Sequence, residues 1–584
     1  MEYQPQKINC QNCKVDFVIE SDDFLFYEKI KVPPPTWCPY CRFIRKLVFI
    51  NERSLYKSTC GNCGISLISM YHPSTPFPNW CVKCHLGDGW DALDYGKDYD
   101  FSRNFFEQFK DLKYSIPHRA LDQNERNGEG CEYSNLCYTS VDSYLSYNVV
   151  TSEHIKYSKH VLKYNKNCLD SLIIKENDRG YELIQSNKNY NSTFLIECDQ
   201  CIDSHFLFDC LNCINCCMSS NLRNKSNVFR NIQLTRDEYK KAIIDLKTET
   251  YAGQVQAKNE FLQMTKKSIH KYANIKNSVD IIGDFIENSK NVYYSYGIIN
   301  SENVKHAFFG ANTIKDSYDT IFAGKIEECY EFTIGGGGAS KVILSLSCEG
   351  ACREIYYCDN CRSCSDCFGC IGLKKKQYCI LNKQYTKDEY FDLFEKIKLK
   401  MNSMPYIDRN GCKYTFGEFF PFEISPFAYN ETVAFEENPL SKDESLTLGY
   451  KWKDREQKLY TSTMKSFELP ESINDILDTI CDEIIECPNM GDTQMQCTFA
   501  YKILPDELLF YRQMNLPIPR YCPNCRYHNR LIWKNPFHFY KRKCMCKILN
   551  HNHNGDCMNE FETLYAPEKP EMIYCKDCYQ KEVG

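Results

Sequence analysis

The chain has 584 residues, enough for three or four domains with cores of their own, and a formal net charge of −6. That mild negative balance excludes a global field drawing the whole molecule to nucleic acid, so any such attraction is local. The 37 cysteines are the compositional signal: the count is odd, and many stand in C-x2-C pairs beside Gly, Pro, Asn or Arg. With no apolar leader and no apolar run long enough to span a membrane, the expected setting is a reducing compartment, cytoplasmic or similar, where such pairs are metal sites more often than disulfides.

Residues 1–95 read as a tandem metal module. Cys10, Cys13, Cys38 and Cys41 form one four-thiolate set, and Cys60, Cys63, Cys81 and Cys84 a second. Each C-x2-C knuckle turns two sulfurs toward one ion, and two knuckles close a tetrahedral site with no position left for water or substrate, so both sites are expected to be structural zinc. Cys10-Gln-Asn-Cys13, Asp16-Phe-Val18, Phe26-Tyr27, Pro34-Pro35, Cys38-Pro-Tyr-Cys41-Arg42 and Arg45-Lys46 resemble the probable zinc-ribbon domains of bacteria. The resemblance implies zinc and a fold, and names no partner. Residues 96–120 follow as a linking helix beginning at Asp98, with Phe101, Phe105, Phe106 and Phe109 at helical spacing.

The middle is expected to be duplicated. Cys210-Leu-Asn-Cys213-Ile-Asn-Cys216 and Cys361-Arg-Ser-Cys364-Ser-Asp-Cys367 are 151 positions apart, as are Thr235-Arg-Asp-Glu-Tyr239 and Thr386-Lys-Asp-Glu-Tyr390. A finer period near twelve carries Asn288-Ser-Lys-Asn-Val292 into Asn300-Ser-Glu-Asn-Val304. Short strand-like segments at that period suggest a β-solenoid, with one copy over 121–248, a helical linker over 249–275 and a second copy over 276–400. Thr-x-x-Glu capping boxes open a cap helix at the end of each copy. Cys358, Cys361, Cys364, Cys367 and Cys370 recur every three residues. Such a run suits an iron–sulfur cluster, a further zinc, or a ladder of small buried thiols, and the last is favoured because the spacing departs from the ferredoxin pattern. Gly335–Gly338 lacks the spacing of a phosphate loop and reads as a connection.

Residues 401–470 are an aromatic and Pro-rich joint, Phe416-Gly-Glu-Phe-Phe-Pro-Phe422 at its centre. With Asn438-Pro-Leu and Gly449-Tyr-Lys-Trp452, the overall order resembles that of large Cys-rich proteins of uncultured bacteria and giant viruses. Some of those carry a CoA-transferase label, which no candidate acyl-acceptor Asp supports here.

Residues 471–584 repeat the first module. Cys13 to Cys38 and Cys497 to Cys522 are both 25 positions, and Asp22-Asp-Phe-Leu-Phe-Tyr27 aligns with Asp506-Glu-Leu-Leu-Phe-Tyr511. A helix is expected over Pro470 to Glu486. Cys487, Cys497, Cys522 and Cys525 form the third expected site, although Gln494 stands where Cys10 would align. Cys544, Cys546, Cys575 and Cys578 form the fourth, with His551, His553 and Cys557 as further candidate ligands. No Asp or Glu occurs from Leu508 to Gly555. The cations there, Arg520, Arg526, Arg530, Lys534, Lys541 and Arg542, interleaved with aromatics, suit phosphate contact and base stacking; Arg42 and Arg45 are a weaker N-terminal counterpart. Neutralisation of the thiolate charge is the alternative role for these cations.

These readings combine into a mainly β chain with helical caps, a duplicated β-solenoid flanked by zinc-ribbon or treble-clef-like modules that hold about four structural Zn2+ ions. The expected role is a non-enzymatic scaffold contacting nucleic acid or a protein partner. The alternative is an assembly protein, such as a self-associating particle or virion component, whose zinc modules cap the solenoid. An enzyme with its site on a solenoid face is the third class.

Overall fold

The computed structural model describes the chain except residues 1, 2, 125, 310–312, 324, 325, 336, 455–460, 550 and 552. Gly336 of the four-glycine run and the segment 455–460 of the joint therefore lie outside the described residues.

The protein is mainly β, built around two large parallel sheets. The first runs from Tyr133–Tyr138 to Ser226–Phe229, and the second from Ile275–Lys276 to Gln377–Ile380. Ladder partners stand about twelve positions apart: Asp178 pairs Tyr190, Thr193 pairs His205 and Arg353 pairs Ser365. In the first sheet six strands close on themselves, Val141–Val150 and Asp178–Asn187 joining the two arms of the ring. Each sheet ends in a short antiparallel return, Ile232–Gln233 in one and Lys383–Gln384 in the other.

A three-residue period underlies this. Every third residue from Asn167 to Arg230 has a φ between +47° and +58°. Asn and Asp fill many of these positions, including Asn167, Asp170, Asn191, Asp203, Asp209, Asn212 and Asn215, because their short polar side chains tolerate the left-handed region. From Asn167 to Met218 the residue after each such corner is buried, and Ser171, Ile174, Leu183, Ser186, Leu195, Cys198, Cys201, Ser204, Leu207, Cys210, Cys213, Cys216 and Ser219 are among those that fill the interior. Ser and Cys fill most of the positions named, with Ile174, Leu183, Leu195 and Leu207 between them. Many of the serines also bond along the stack. Ser158 N donates to Ser146 Oγ at 3.1 Å, Ser171 N to Ser158 Oγ at 2.9 Å and Cys198 N to Ser186 Oγ at 3.1 Å.

Helices Arg236–Asp245 and Lys387–Ser403 follow the two sheets, each opened by a reciprocal capping box, Thr235 with Glu238 and Thr386 with Glu389. The linking helix is shorter than the sequence suggests. It spans Phe105–Ser115 behind an Asn104 cap, buries Phe105, Phe106 and Phe109, and leaves Phe101 exposed. The helix expected over 470–486 is absent. That segment forms short 3-10 turns, Ile473–Asp475 and Asp478–Asp482, then strand Ile485–Glu486. Tertiary pairing overrides its helical pattern: Ile473 N bonds Glu249 O, Ser472 bridges Thr250, and Ile485 pairs Tyr501.

The cores cross the chain order. Phe24, Phe26, Tyr27 and Trp37 of the N-terminal module share a core with Val304, Tyr330, Ile355 and Phe368 of the second sheet. Leu508, Phe510, Tyr511 and Tyr527 near the C-terminus share one with Leu169, Tyr181, Phe194 and Phe208 of the first.

Candidate metal centres and their docking on the sheets

Four groups of four cysteines bring their sulfurs within 4.8 Å of one another: Cys10, Cys13, Cys38, Cys41; Cys60, Cys63, Cys81, Cys84; Cys487, Cys497, Cys522, Cys525; and Cys544, Cys557, Cys575, Cys578. Each is built the same way. A short antiparallel pairing carries the first ligands, as in Gln6–Asn9 with Asp16–Ile19 and Tyr540–Lys543 with Glu560–Thr563. The third cysteine is then the N-cap of a helix, Cys38, Cys81, Cys522 or Cys575, where the helix dipole favours a thiolate. Its backbone N–H also donates to the first sulfur: Cys38 to Cys10 at 3.2 Å, Cys81 to Cys60 at 3.3 Å, Cys522 to Cys487 at 3.4 Å and Cys575 to Cys544 at 3.2 Å. Against the opposing effect of burial, backbone N–H groups of Cys63 and Cys81 hold the Cys60 thiol down at about 6. Four convergent, ionisable sulfurs with backbone donors behind them can each hold a metal ion in a structural role. The arrangement is consistent with zinc-ribbon-like modules.

One grouping follows the sequence reading and one departs from it. Cys487 joins the third group through the strand pairing at Ile485–Glu486, so no ligand is needed at Gln494. In the fourth group Cys557, not Cys546, stands with Cys544, Cys575 and Cys578, and Cys557 N bonds Cys546 O at 3.0 Å. Cys546 instead gathers with His551, His553 and Cys578.

The run Cys358, Cys361, Cys364, Cys367 and Cys370 does not form a ligand group among the described residues. Its thiols donate to backbone carbonyls, Cys358 to Tyr356 at 3.4 Å, Cys364 to Leu373 at 3.3 Å and Cys370 to Cys379 at 3.3 Å. Burial raises the Cys358 thiol well above its ordinary range, which keeps it protonated. These cysteines are interior packing, in the place serines take elsewhere in the stack.

The cations expected to meet phosphate are mostly turned inward. Arg42, Arg45, Arg526 and Arg530 are buried. Arg526 Nε lies 3.0 Å from Asp170 Oδ2, and Arg530 Nη1 lies 2.6 Å from Asp170 Oδ1. At the other end Arg42 Nε lies 2.9 Å from Asp319, whose second oxygen is 3.3 Å from Lys46 Nζ. Arg42 and Lys46, like Arg526 and Arg530, are four residues apart on a helix that opens at a metal-ligand cysteine, so both cations share one face. Neighbouring contacts match. Lys305 pairs Asp22 at 2.8 Å, while Lys156 pairs Asp506 at 2.6 Å. Tyr27 packs edge-on against Tyr330 at 5.2 Å, and Tyr511 against Tyr181 at 5.9 Å. Arg45 adds Glu331 at 2.7 Å, Glu418 at 2.9 Å and the face of Trp37 at 4.4 Å. Asp319 is driven down to about 2 by Arg42 and Lys46 despite burial that opposes it.

The acid-free stretch after Leu508 is thus supplied with acids from distant segments. Arg520 pairs Glu471 and lies over Tyr251 at 4.2 Å, and Lys534 pairs Glu437. Arg542 donates to the Ala566 carbonyl at 3.0 Å. Lys541 is exposed and pairs Glu560 at 2.9 Å. Sequence reasoning missed the acceptors because Asp170 and Asp319 look like ordinary corner residues; the signal was the pair of cations four apart in both motif copies.

No family model and no curated protein matches the chain. Among solved structures, one described as a "putative acetyltransferase" from Desulfovibrio desulfuricans G20 aligns at 11% identity, covering 47% of this chain and 82% of its own, with a TM-score of 0.09. A likeness so slight carries no argument. Among the described residues, no helix is long and apolar enough to cross a membrane.

Proposed function

We propose that this protein is a zinc-stapled, non-enzymatic scaffold: a duplicated β-solenoid of twelve-residue turns, each copy clasped by the metal module from the opposite end of the chain. The ions are assigned as structural Zn2+ because tetrahedral all-sulfur sites with a satisfied outer shell suit it. The observation that carries the reading is the repeated docking, in which a module's two helix cations close on one buried sheet carboxylate, Asp170 or Asp319. Modules fastened this way present their basic face to the solenoid, which favours the internal clasp over nucleic-acid contact. Tyr190, Ile202 and Ile214 stack twelve apart as an exposed apolar stripe on the first copy. Protein contact, self-association included, is assigned to that solenoid face.

The test is binding of fluorescent single- and double-stranded oligonucleotides by the full chain at 50 and 200 mM salt. The scaffold reading expects no binding that falls steeply with salt. Tight binding that weakens by orders of magnitude over that range, in a protein that stays folded, would replace it with a nucleic-acid role through Lys541, Lys543 and Lys547, whose side chains are exposed.

A further inference from the structure

The last metal module carries more ligands than one ion needs. Cys578 belongs to two groups at once, one with Cys544, Cys557 and Cys575 and one with Cys546, His551 and His553. Cys546 and Cys578 are buried, and the His551 side chain is 6% exposed.

The protons of both imidazoles are fixed by what the outer nitrogens meet. His553 Nδ1 lies 2.8 Å from the Gly555 carbonyl, which only accepts, so that nitrogen carries the proton. His553 Nε2 is then a lone pair, and it lies 3.3 Å from Cys578 Sγ. His551 Nε2 lies 2.9 Å from the Glu582 carboxylate and carries the proton there. Its Nδ1 lone pair lies 3.2 Å from Cys546 Sγ. An imidazole tied outward to a carbonyl or carboxylate, with its free lone pair turned toward thiols, is the arrangement metal-bound histidines adopt. Asn559 Nδ2 donates to Cys575 Sγ at 3.4 Å on the other side of the pair.

We propose that this module holds two zinc ions bridged by the Cys578 thiolate. One ion takes Cys544, Cys557, Cys575 and Cys578. The other takes Cys546, His551 Nδ1, His553 Nε2 and Cys578. Seven side chains fill eight tetrahedral positions because one sulfur serves twice. On binding, the five thiols release their protons to solvent and the imidazoles stay neutral, leaving a net charge of about −1 for the pair, against about −2 for an isolated four-thiolate site. With both sites closed, the centre is structural, a rivet at the chain's end where Tyr579, beside Cys578, bonds Asp209 of the first sheet.

This inference rests on the zinc reading above, and the experiment separates the two. Native mass spectrometry of the full chain, purified without added metal, is expected to show five zinc ions. The double variant His551→Ala/His553→Ala is expected to show four, with an unchanged circular dichroism spectrum. After exchange into cadmium-113, two resonances of this module should split each other through the shared sulfur. Four ions in the wild type, five in the double variant, or two unsplit resonances would overturn the bridge and leave the zinc reading intact. A folded chain with no bound metal would overturn both.

Discussion

Replacing Asp170 by Asn tests the docking directly. Asp170 is fully buried and is the acceptor for both Arg526 at 3.0 Å and Arg530 at 2.6 Å. Asn keeps the shape and removes the charge. Among the described residues, the acid then left in ion-pair range of the two buried guanidinium groups is Glu507, 3.6 Å from Arg526. Breaking a buried pair from one side costs about 3–5 kcal/mol, because the surviving charge stays desolvated. That is roughly two to three and a half powers of ten in the equilibrium for lifting the module off the first sheet. Hydrogen exchange read peptide by peptide is the suitable assay, since a chain with several separable parts has no single unfolding free energy. Protection should fall by that factor across Pro505–Gln513 and Pro523–Leu531 while Ser21–Lys29 and Pro39–Leu47 are unaffected. The quadruple variant D170L/E507Q/R526M/R530M should recover most of the loss, since replacing the whole cluster, Glu507 included, removes the desolvated charges. A loss below about 1 kcal/mol in D170N, the range of solvent-exposed pairs, would refute the argument.

Asp319→Asn should mirror this at the other end, loosening Pro39–Leu47 and sparing Pro523–Leu531, because Arg42 and Lys46 converge on that carboxylate. Glu197→Gln should alter the pH response. Burial, Asp284 and Asp209 raise the Glu197 carboxyl to about 8, so the folded state holds a proton that the unfolded chain loses near 4.5, and stability falls as pH rises from there toward 8. The variant lacks that slope. Its melting temperature should exceed the wild type's at pH 8, by the equivalent of about 4 kcal/mol, and the gap should shrink to below about 1 kcal/mol at pH 5; an equal gap at both pH values would contradict the assignment. Cys364→Ser should leave metal content unchanged and cost about 1 kcal/mol, because a hydroxyl replaces a thiol that bonds carbonyls of Arg362 and Leu373. Loss of a metal from that variant would mark the run as a ligand site.

Spacing made the metal groups legible, because a C-x2-C knuckle is a local device that needs little tertiary context. The capping boxes at Thr235 and Thr386 were legible for the same reason. The period of twelve was visible in Asn288 and Asn300, yet the corner at every third residue was hidden, since Tyr157, Phe194 and Phe206 occupy left-handed positions as well as Asn and Asp. Tyr294 takes the same conformation while exposed, so the ladder pairing of successive strands, not the residue type or its burial, holds such residues there. The crossed docking was illegible because it depends on single carboxylates hundreds of residues from the arginines they hold. For the same reason the basic stretch after Leu508 looked like a nucleic-acid surface, its acids being supplied by other segments. Spacing ranks Cys546 above Cys557 as a ligand of the fourth group, and the structure reverses that order, placing Cys546 with His551, His553 and Cys578 instead.

Metal analysis of the untagged full chain, purified without added metal, tests the central claim most directly. The account predicts at least four tightly held zinc ions per chain, no iron and no acid-labile sulfide, and loss of hydrogen-exchange protection in both terminal modules once a strong chelator removes the zinc. A metal-free chain whose modules remain folded and docked would contradict it.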